Sequence, residues 1–455
     1  MQWDREKPSN RHKAQEELLR EYVLHHVYPY SPFYRRRFEA AKLVPKTITG
    51  VDDLAKLDPT GWNEVEAEPG AFVLRPTERA IARFGERRLV MAITKAKLRG
   101  KVAELNRDLI DPAYKPIHWH LEGDVPLGYS GDDLQRLGEA GRRLLQLAQV
   151  ARDDVIVGLA PADPGLAFWQ LVEGARQAHV SALHLGPGTS VEQVEAAAPT
   201  VLAGPPDVVG GVLSAFGSAK RRLAGLRTLL CFGTAIGDGA RSDLRDQGRK
   251  VGQDDLEVVA AWAPPGVRAL WGECRGGRGF HTFPDLEWLE TLPDGELAWT
   301  SLAWHGSAFL RLRTGVQAEI DDSGCPTCGR VGPRVVVGAL APAPTARPAG
   351  RAALAPAVGP DQEPLPAGEG APAPLRAWDL DVLDEHPAVA AWAAELRRVA
   401  GVEELIVFIA PAGIDRLGPL FRELDASLSA TQYVVERPEQ VRARVDRDGA
   451  VLDRR

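Results

Sequence analysis

The sequence predicts an α/β protein: a large domain over residues 1–338 with mostly parallel sheets, a Pro/Ala-rich linker over 339–374, and a small α+β domain over 375–455. Three observations predict it. Short apolar runs alternate with helical patterns through residues 151–262, as in a sheet covered by helices on both faces. From Ala339 to Pro374 the chain is dominated by Ala, Pro and Gly, a composition that builds a linker and not a core. At 455 residues the chain is too long for one ordinary core, so two or three domains are expected.

Each element follows from its residues. Gln15 to Ala41 reads as helix, broken at Tyr28-Pro29-Tyr30-Ser31-Pro32. Leu54 and Leu57 belong to a short helix ending at Pro59, because proline has no N–H to continue it. Ala80 to Ile110 is basic and helical, and Pro116 to Ser130 reads as strand, turn, strand. Ser130 then caps a helix from about Asp132 to Gln149, with Leu134, Leu137, Leu144, Leu145 and Leu147 near helical spacing. Val155-Ile156-Val157-Gly158-Leu159 is continuously apolar, as a strand buried on both faces must be. After it come a helix from Leu166 to Ala178, a strand from Val180 to Leu185, a helix after Thr189-Ser190 and a strand at Val201-Leu202-Ala203. A helix from Pro206 to Arg222 leads to strands at Leu229 to Gly233 and Leu256 to Trp262. Further strands are expected at Glu296 to Thr300 and Phe309 to Arg313. In the small domain a helix starts at His386-Pro387-Ala388-Val389, and Glu404 to Ile409 is a strand. Pro419 suits the first turn of a helix to about Leu428, and Tyr433 to Glu436 is another strand. Ligands in open α/β sheets sit beyond the carboxyl ends of strands. The loops after Leu159, Leu185, Phe232 and Trp262, including Asp163-Pro164-Gly165 and Gly186-Pro187-Gly188-Thr189, are therefore the places for chemistry.

The bulk properties narrow the function. A net charge of −7 argues against a nucleic-acid surface. No apolar run approaches the ~20 residues of a membrane span, and the charged start from Met1 to Lys7 lacks an apolar signal core. The expectation is a cytoplasmic protein with no nucleic-acid or membrane partner. Four cysteines in a chain this long are no disulfide scaffold, and a reducing compartment suits them as thiolates.

Three of those cysteines fall in a metal-ligand pattern. Cys274, His281, and Cys325-Pro326-Thr327-Cys328-Gly329 provide a Cys-x2-Cys on a Gly/Pro turn plus the two groups that complete a tetrahedral Cys3His set. Four unrelated residues are the plain alternative. Four protein ligands leave no open position for water, so the zinc read here is structural. His118-x-His120 is a second candidate metal pair; on a strand, i and i+2 simply share a face, and paired core or surface histidines explain it as well. Cys231, in an apolar run, reads as an inert core thiol.

Together these pieces resemble the phenylacetate–CoA ligase branch of the adenylate-forming superfamily. The likeness rests on Ser31-Pro32-Phe33-Tyr34, the Asp53-Leu54-Ala55-Lys56-Leu57 helix, the doubly wound middle, the Cys274, His281, Cys325, Cys328 set and Leu312-Arg313-Thr314-Gly315. It implies an adenylate-forming-enzyme-like large domain with a small C-terminal domain that rotates between half-reactions. It also implies activation of a carboxylate with ATP and Mg2+, followed by transfer to coenzyme A. By position it assigns Gly233, Trp262 and Arg313 to cofactor binding. Phe168, Trp169 and Trp262 could line an acyl pocket or belong to the core.

The chemistry makes demands that the residues do not meet. A triphosphate needs a cradle of backbone N–H groups, hydroxyls and usually a lysine. The corresponding stretch, Ile117 to Pro126, has no Ser, Thr or Lys and carries Glu122 and Asp124. Gly233-Thr234-Ala235-Ile236 keeps the family's Gly and loses its carboxylate, and Trp262-Ala263-Pro264-Pro265-Gly266 keeps only the aromatic ring. Val316 replaces the Asp that grips the ribose; Asp321 and Asp322 are displaced substitutes or a solvated turn. No Lys follows Lys250 to stabilise the transition state from the small domain. The leading reading is a degenerate ligase acting as a binding or partner subunit, holding structural Zn2+ and an acyl or nucleotide-like small molecule or a protein partner. The alternative is an active AMP-forming carboxylate–CoA ligase in which Arg311 and Arg313 handle phosphate and Glu122 or Asp124 holds Mg2+. No catalytic residue is assigned.

Overall fold

The structure is a computed structural model. It describes residues 1–337 except 1, 2, 4, 49, 163, 164, 234, 235 and 278, together with 389–399, 402–411, 432–435, 440–441 and 451–454. The chain divides into two units, Met1–Ala353 and Leu354–Arg455.

In the first unit a hairpin of β1 (His118–Glu122) and β2 (Val125–Tyr129) precedes the doubly wound part. That part runs through β3 (Val155–Gly158), β4 (Ser181–His184), β5 (Val201–Gly204), β6 (Thr228–Phe232) and β7 (Glu257–Trp262). These five strands pair in parallel in the order β4-β3-β5-β6-β7. The expected parallel sheet over 151–262 is thus present; β3, β5, β6 and β7 are largely buried, whereas β4 at the sheet edge is mostly exposed. The sheet continues antiparallel through β8 (Trp271–Gly272) and β9 (Phe280–His281). Three longer strands, β10 (Glu287–Thr291), β11 (Glu296–Ser301) and β12 (Leu312–Asp321), then lead to β13 (Arg334–Val337). In this antiparallel part β13 pairs with β9, bringing the β12–β13 turn beside the β8–β9 segment.

Local chemistry sets the helices that hold this sheet. Ser130 and Asp133 cap the Gly131–Leu147 helix reciprocally, the Ser130 Oγ accepting from the Asp133 N–H and the Asp133 carboxylate accepting from the Ser130 N–H. The fully buried Asp133 also accepts the N–H groups of His305 and Gly306, so one cap pins the loop before β12. This helix packs on Leu166–Ala178 through glycines: a Cβ on Gly141 would lie 2.7 Å from the Gly174 Cα. At the N-terminus a helix over Pro8–Tyr22 runs on through a π-helical turn, Val23–Val27, and breaks at the extended Ser31 before Pro32–Ala40. Leu19, Tyr22, Val23, Tyr34 and Phe38 bury against the same core as β11 and β12.

Two expectations are corrected. The strand expected at Phe309 to Arg313 begins only at Leu312, because Arg311 has φ +51° and turns the chain just before it. The helix expected from His386 is instead β14 (Val389–Val399), antiparallel to β15 (Val402–Pro411) over nearly its whole length. Ala-rich sequence has helical propensity, and the long-range ladder overrides it. In the same unit β16 (Gln432–Val435) pairs with β15 and β17 (Val451–Arg454) with β14, both in parallel. The linker expected over 339–374, the helix from Pro419 and the Asp163-Pro164 turn lie outside the described residues. Among the described residues no helix is long and apolar enough to cross a membrane.

Candidate functional site

The four metal-ligand candidates meet. Cys274 lies just after β8, His281 is on β9, and Cys325 and Cys328 sit in the β12–β13 turn; their ligand atoms lie within 4.8 Å of one another. The turn is shaped by its backbone: the Cys325 N–H donates to the Arg330 carbonyl at 2.7 Å and the Gly329 N–H to the Cys325 carbonyl at 2.9 Å. Cys274 and Cys325 Sγ are 3.7 Å apart, and Cys328 Sγ is 3.6 Å from His281 Nε2. A tetrahedron with metal–sulfur bonds of ~2.3 Å and metal–nitrogen bonds of ~2.0 Å has S–S and S–N edges of about 3.8 and 3.5 Å. The spacing fits that polyhedron and is far too long for a disulfide, whose S–S bond is about 2.05 Å. Burial, then the neighbouring Cys328 and Cys325, push the Cys274 thiol up to about 12. Burial also opposes ionisation of Cys325, but the Cys328 and Thr327 N–H groups overcome it and lower that thiol. Crowded sulfurs of this kind need a cation to ionise together. Gly277 makes room, since a Cβ there would lie 2.3 Å from Cys274 Sγ.

The stretch tested as a phosphate cradle is a tight hairpin. Glu122 pairs with Val125, leaving Gly123-Asp124 as a two-residue turn with Gly123 at φ +59°. Much of its backbone hydrogen bonding goes to the ladder and not to an open loop. Asp124 is exposed, and Trp119 lies on the face opposite His118 and His120. Burial raises the Glu122 carboxyl, partly offset by the Gly266 N–H and the charge of Arg268. The His118 ring meets Trp169 at 4.3 Å and His120 at 4.8 Å, and Trp169 packs on Phe168 at 5.3 Å. Burial, then Arg268 and His118, lower the buried His120 to about 2.

The three cofactor candidates are placed differently. Gly233, at φ +92°, follows β6 and donates its N–H to Ala261 O at 3.3 Å, next to Trp262 at the end of β7. The Trp262 ring is buried against Phe280 at 5.5 Å and Trp271 at 6.0 Å, as part of the core. Arg313 lies on β12 with its guanidinium engaged by Asp294 and Glu296. The buried Arg311 is equally committed: Nη1 donates to the Ala55 and Leu57 carbonyls and Nε to Glu290 at 2.8 Å. Asp321 pairs with Arg334, and Asp322 with Arg11 and His12. Burial pushes the Cys231 thiol up to about 12.

Sequence reasoning missed several buried polar groups. Glu273 accepts from Arg241 at 2.6 Å and from the Ala260 N–H. Glu287 accepts from Trp271 and Trp299 indoles and the Phe283 N–H at 2.6–2.8 Å. The fully buried Arg268 stacks its Cζ 3.7 Å over the Tyr129 ring. A lone Arg or Glu between apolar residues carries no spacing signal, so only the fold could reveal them.

No protein-family profile and no curated protein matches the chain. Solved structures do. A structure of 2-hydroxyisobutyryl-CoA ligase with 2-HIB-AMP and CoA, in the thioesterification state, aligns with a TM-score of 0.58 at 16% identity, covering 99% of this chain and 91% of that one. The same ligase in the postadenylation state with R3-HIB-AMP gives 0.59 over the same shares at 16% identity. An open conformation of it gives 0.56 over 73% of this chain and 75% of that one, again at 16% identity. The chain therefore has the adenylate-forming-enzyme fold.

Proposed function

We propose that this chain is a phenylacetate–CoA ligase-like protein that no longer adenylates a carboxylate with Mg-ATP and works as a binding or partner subunit. The observation that carries the reading is the β1–β2 hairpin. Where a triphosphate needs a loop of free N–H groups, the chain has a two-residue turn bearing an exposed Asp124 and, beside it, the carboxyl of Glu122. The basic groups that could substitute are engaged elsewhere: Arg311 by carbonyls and Glu290, Arg313 by Asp294 and Glu296. The sequence supplies no Lys beyond Lys250. Loss of the loop, ribose and lysine groups together argues against the active-ligase alternative.

Cys274, His281, Cys325 and Cys328 would hold a structural Zn2+, whose charge would offset most of that of three thiolates and tie the β8–β9 segment to the β12–β13 turn. A reducing, cytoplasmic setting suits these thiolates. The deciding experiment is titration calorimetry of the zinc-loaded protein with ATP plus Mg2+, then AMP, then coenzyme A. The expected result is no magnesium-dependent ATP binding. Micromolar Mg-ATP affinity would sink the reading and justify a carboxylate screen by pyrophosphate release.

A further inference from the structure

We infer that the exposed basic face of the helix Arg87–Leu98 docks onto a second copy of this chain, in the acidic groove between the helices Pro206–Ser218 and Asp238–Lys250. The inference does not depend on whether Mg-ATP binds.

The helix Arg87–Leu98 is covered on one side only. Ile93 and Ala96 are buried, while Arg87, Met91, Thr94, Lys95 and Leu98 share an exposed face at i, i+4, i+7, i+8 and i+11. Met91 is 61% exposed and Leu98 84%, and the two stand two turns, about 10 Å, apart. Among the described residues six large apolar side chains are exposed, and four of them fall between Met91 and Ile117. Apolar exposure is thus concentrated here and not scattered singly, as on an ordinary surface. Cations flank it. Arg87, Arg88 and Lys95 form no ion pair among the described residues, whereas Lys97 and Lys101 are taken by Glu78 and Glu104. Glu78 to Lys101 carries a net charge of +6 in a chain of net −7, so the rest of the molecule is strongly acidic. Unpaired cations around two apolar knobs select an acidic partner with space between its own side chains.

The chain itself carries such a surface. A cavity of about 380 Å³ lies between the helices Pro206–Ser218 and Asp238–Lys250, where Gly210, Gly211, Ser214 and Ala240 leave room by their small size. Asp207 and Asp243 line it too; both are exposed, and neither forms an ion pair among the described residues. Gln247 Oε1, in the same lining, is buried and accepts no hydrogen bond. The groove therefore offers acceptors without donors, and Arg87, Arg88 and Lys95 offer donors without acceptors. Met91 and Leu98 enter it as a ridge enters a groove. Its lining comes wholly from the two helices, so in a single copy the helix Arg87–Leu98 does not fill it. A second copy supplies the missing half. A bilayer suits this face less, because two apolar side chains without an aromatic ring make too narrow a stripe for anchoring. One helix of 12 residues in one groove is smaller than a standard interface, so association at low salt is weak, with a dissociation constant on the order of 10 μM.

The test is sedimentation velocity on the full chain from about 5 to 200 μM, at salt concentrations of about 50 and 500 mM. The mass should rise with concentration at low salt and fall back to the monomer at high salt. Arg88→Glu with Lys95→Glu, and separately Asp207→Lys with Asp243→Lys, should each weaken self-association by about tenfold or more. An equimolar mixture of the two double variants should restore it, because the reversed helix then meets the reversed groove. Met91→Ser with Leu98→Ser should weaken it at unchanged salt dependence. All six positions are exposed, and thermal melting checks that each variant folds. A wild type that stays monomeric throughout, unchanged association in either charge-reversed variant, or a mixture that stays monomeric each overturns the inference. So does wild-type binding to phosphatidylserine vesicles in place of self-association, which assigns the face to a membrane.

Discussion

Single residues carry the strongest electrostatic statements. Burial pushes the Glu287 carboxyl from its ordinary 4.5 up to about 7, against the pull of the Phe283, Trp299 and Trp271 N–H donors. The folded value lies above the unfolded one, so folding takes up a proton. The associated stability is fully present below about pH 4.5 and is lost as pH rises through about 7, by at most about 3 kcal/mol. Urea unfolding from about pH 5 to pH 8 should show this decline in the wild type. Glu287→Gln should flatten it and cost about 1–3 kcal/mol, because an amide N–H would then face an indole donor. A variant that kept the wild-type slope would remove Glu287 as its source. None of this was legible in the sequence, where Glu287 is one acid among many; its pairing with Trp271 and Trp299 comes from β8, β10 and β11 sharing a sheet.

At the level of elements, the Cys3His set brings together two segments that are distant in the chain, which the proposed zinc would tie. Cys328→Ser removes one ligand, and Gly277→Ala drives a methyl into the space of Cys274 Sγ. Both should lower zinc content below one per chain and lower the melting temperature by about 5 °C or more. Metal analysis and calorimetric melting check this, and an unchanged melting temperature after chelation would rule out a structural metal. Cys-x2-Cys followed by Gly was readable in sequence because a metal turn needs that spacing. The pairing of β13 with β9, which puts Cys328 beside His281, was not. The hairpin shows the reverse case: strand, turn, strand could be read from Pro116 to Ser130, but the two-residue register that closes the turn is a property of the ladder.

For the whole molecule, Met1–Ala353 and Leu354–Arg455 have separate cores, one around Leu19, Trp271 and Trp299, the other around Ile406, Phe408 and Val441. A chain ended after Val337 should therefore bind the proposed zinc as the full chain does and keep a cooperative melt close to that of the full chain. Loss of the melt would show that the first unit does not stand alone. By itself the sequence determined the α/β class, the run of parallel strands from Val155 to Trp262, the Ser130 cap and the metal-ligand pattern. Each is local: periodicity, capping and ligand spacing act over a few residues. Only the tertiary structure decided that Val389–Val399 is a strand, that Arg311 and Arg313 are bound by carboxylates, and that Arg268 lies buried among partnerless donors. Those outcomes depend on strand pairing and burial between residues far apart in the chain, and no window of sequence contains both partners.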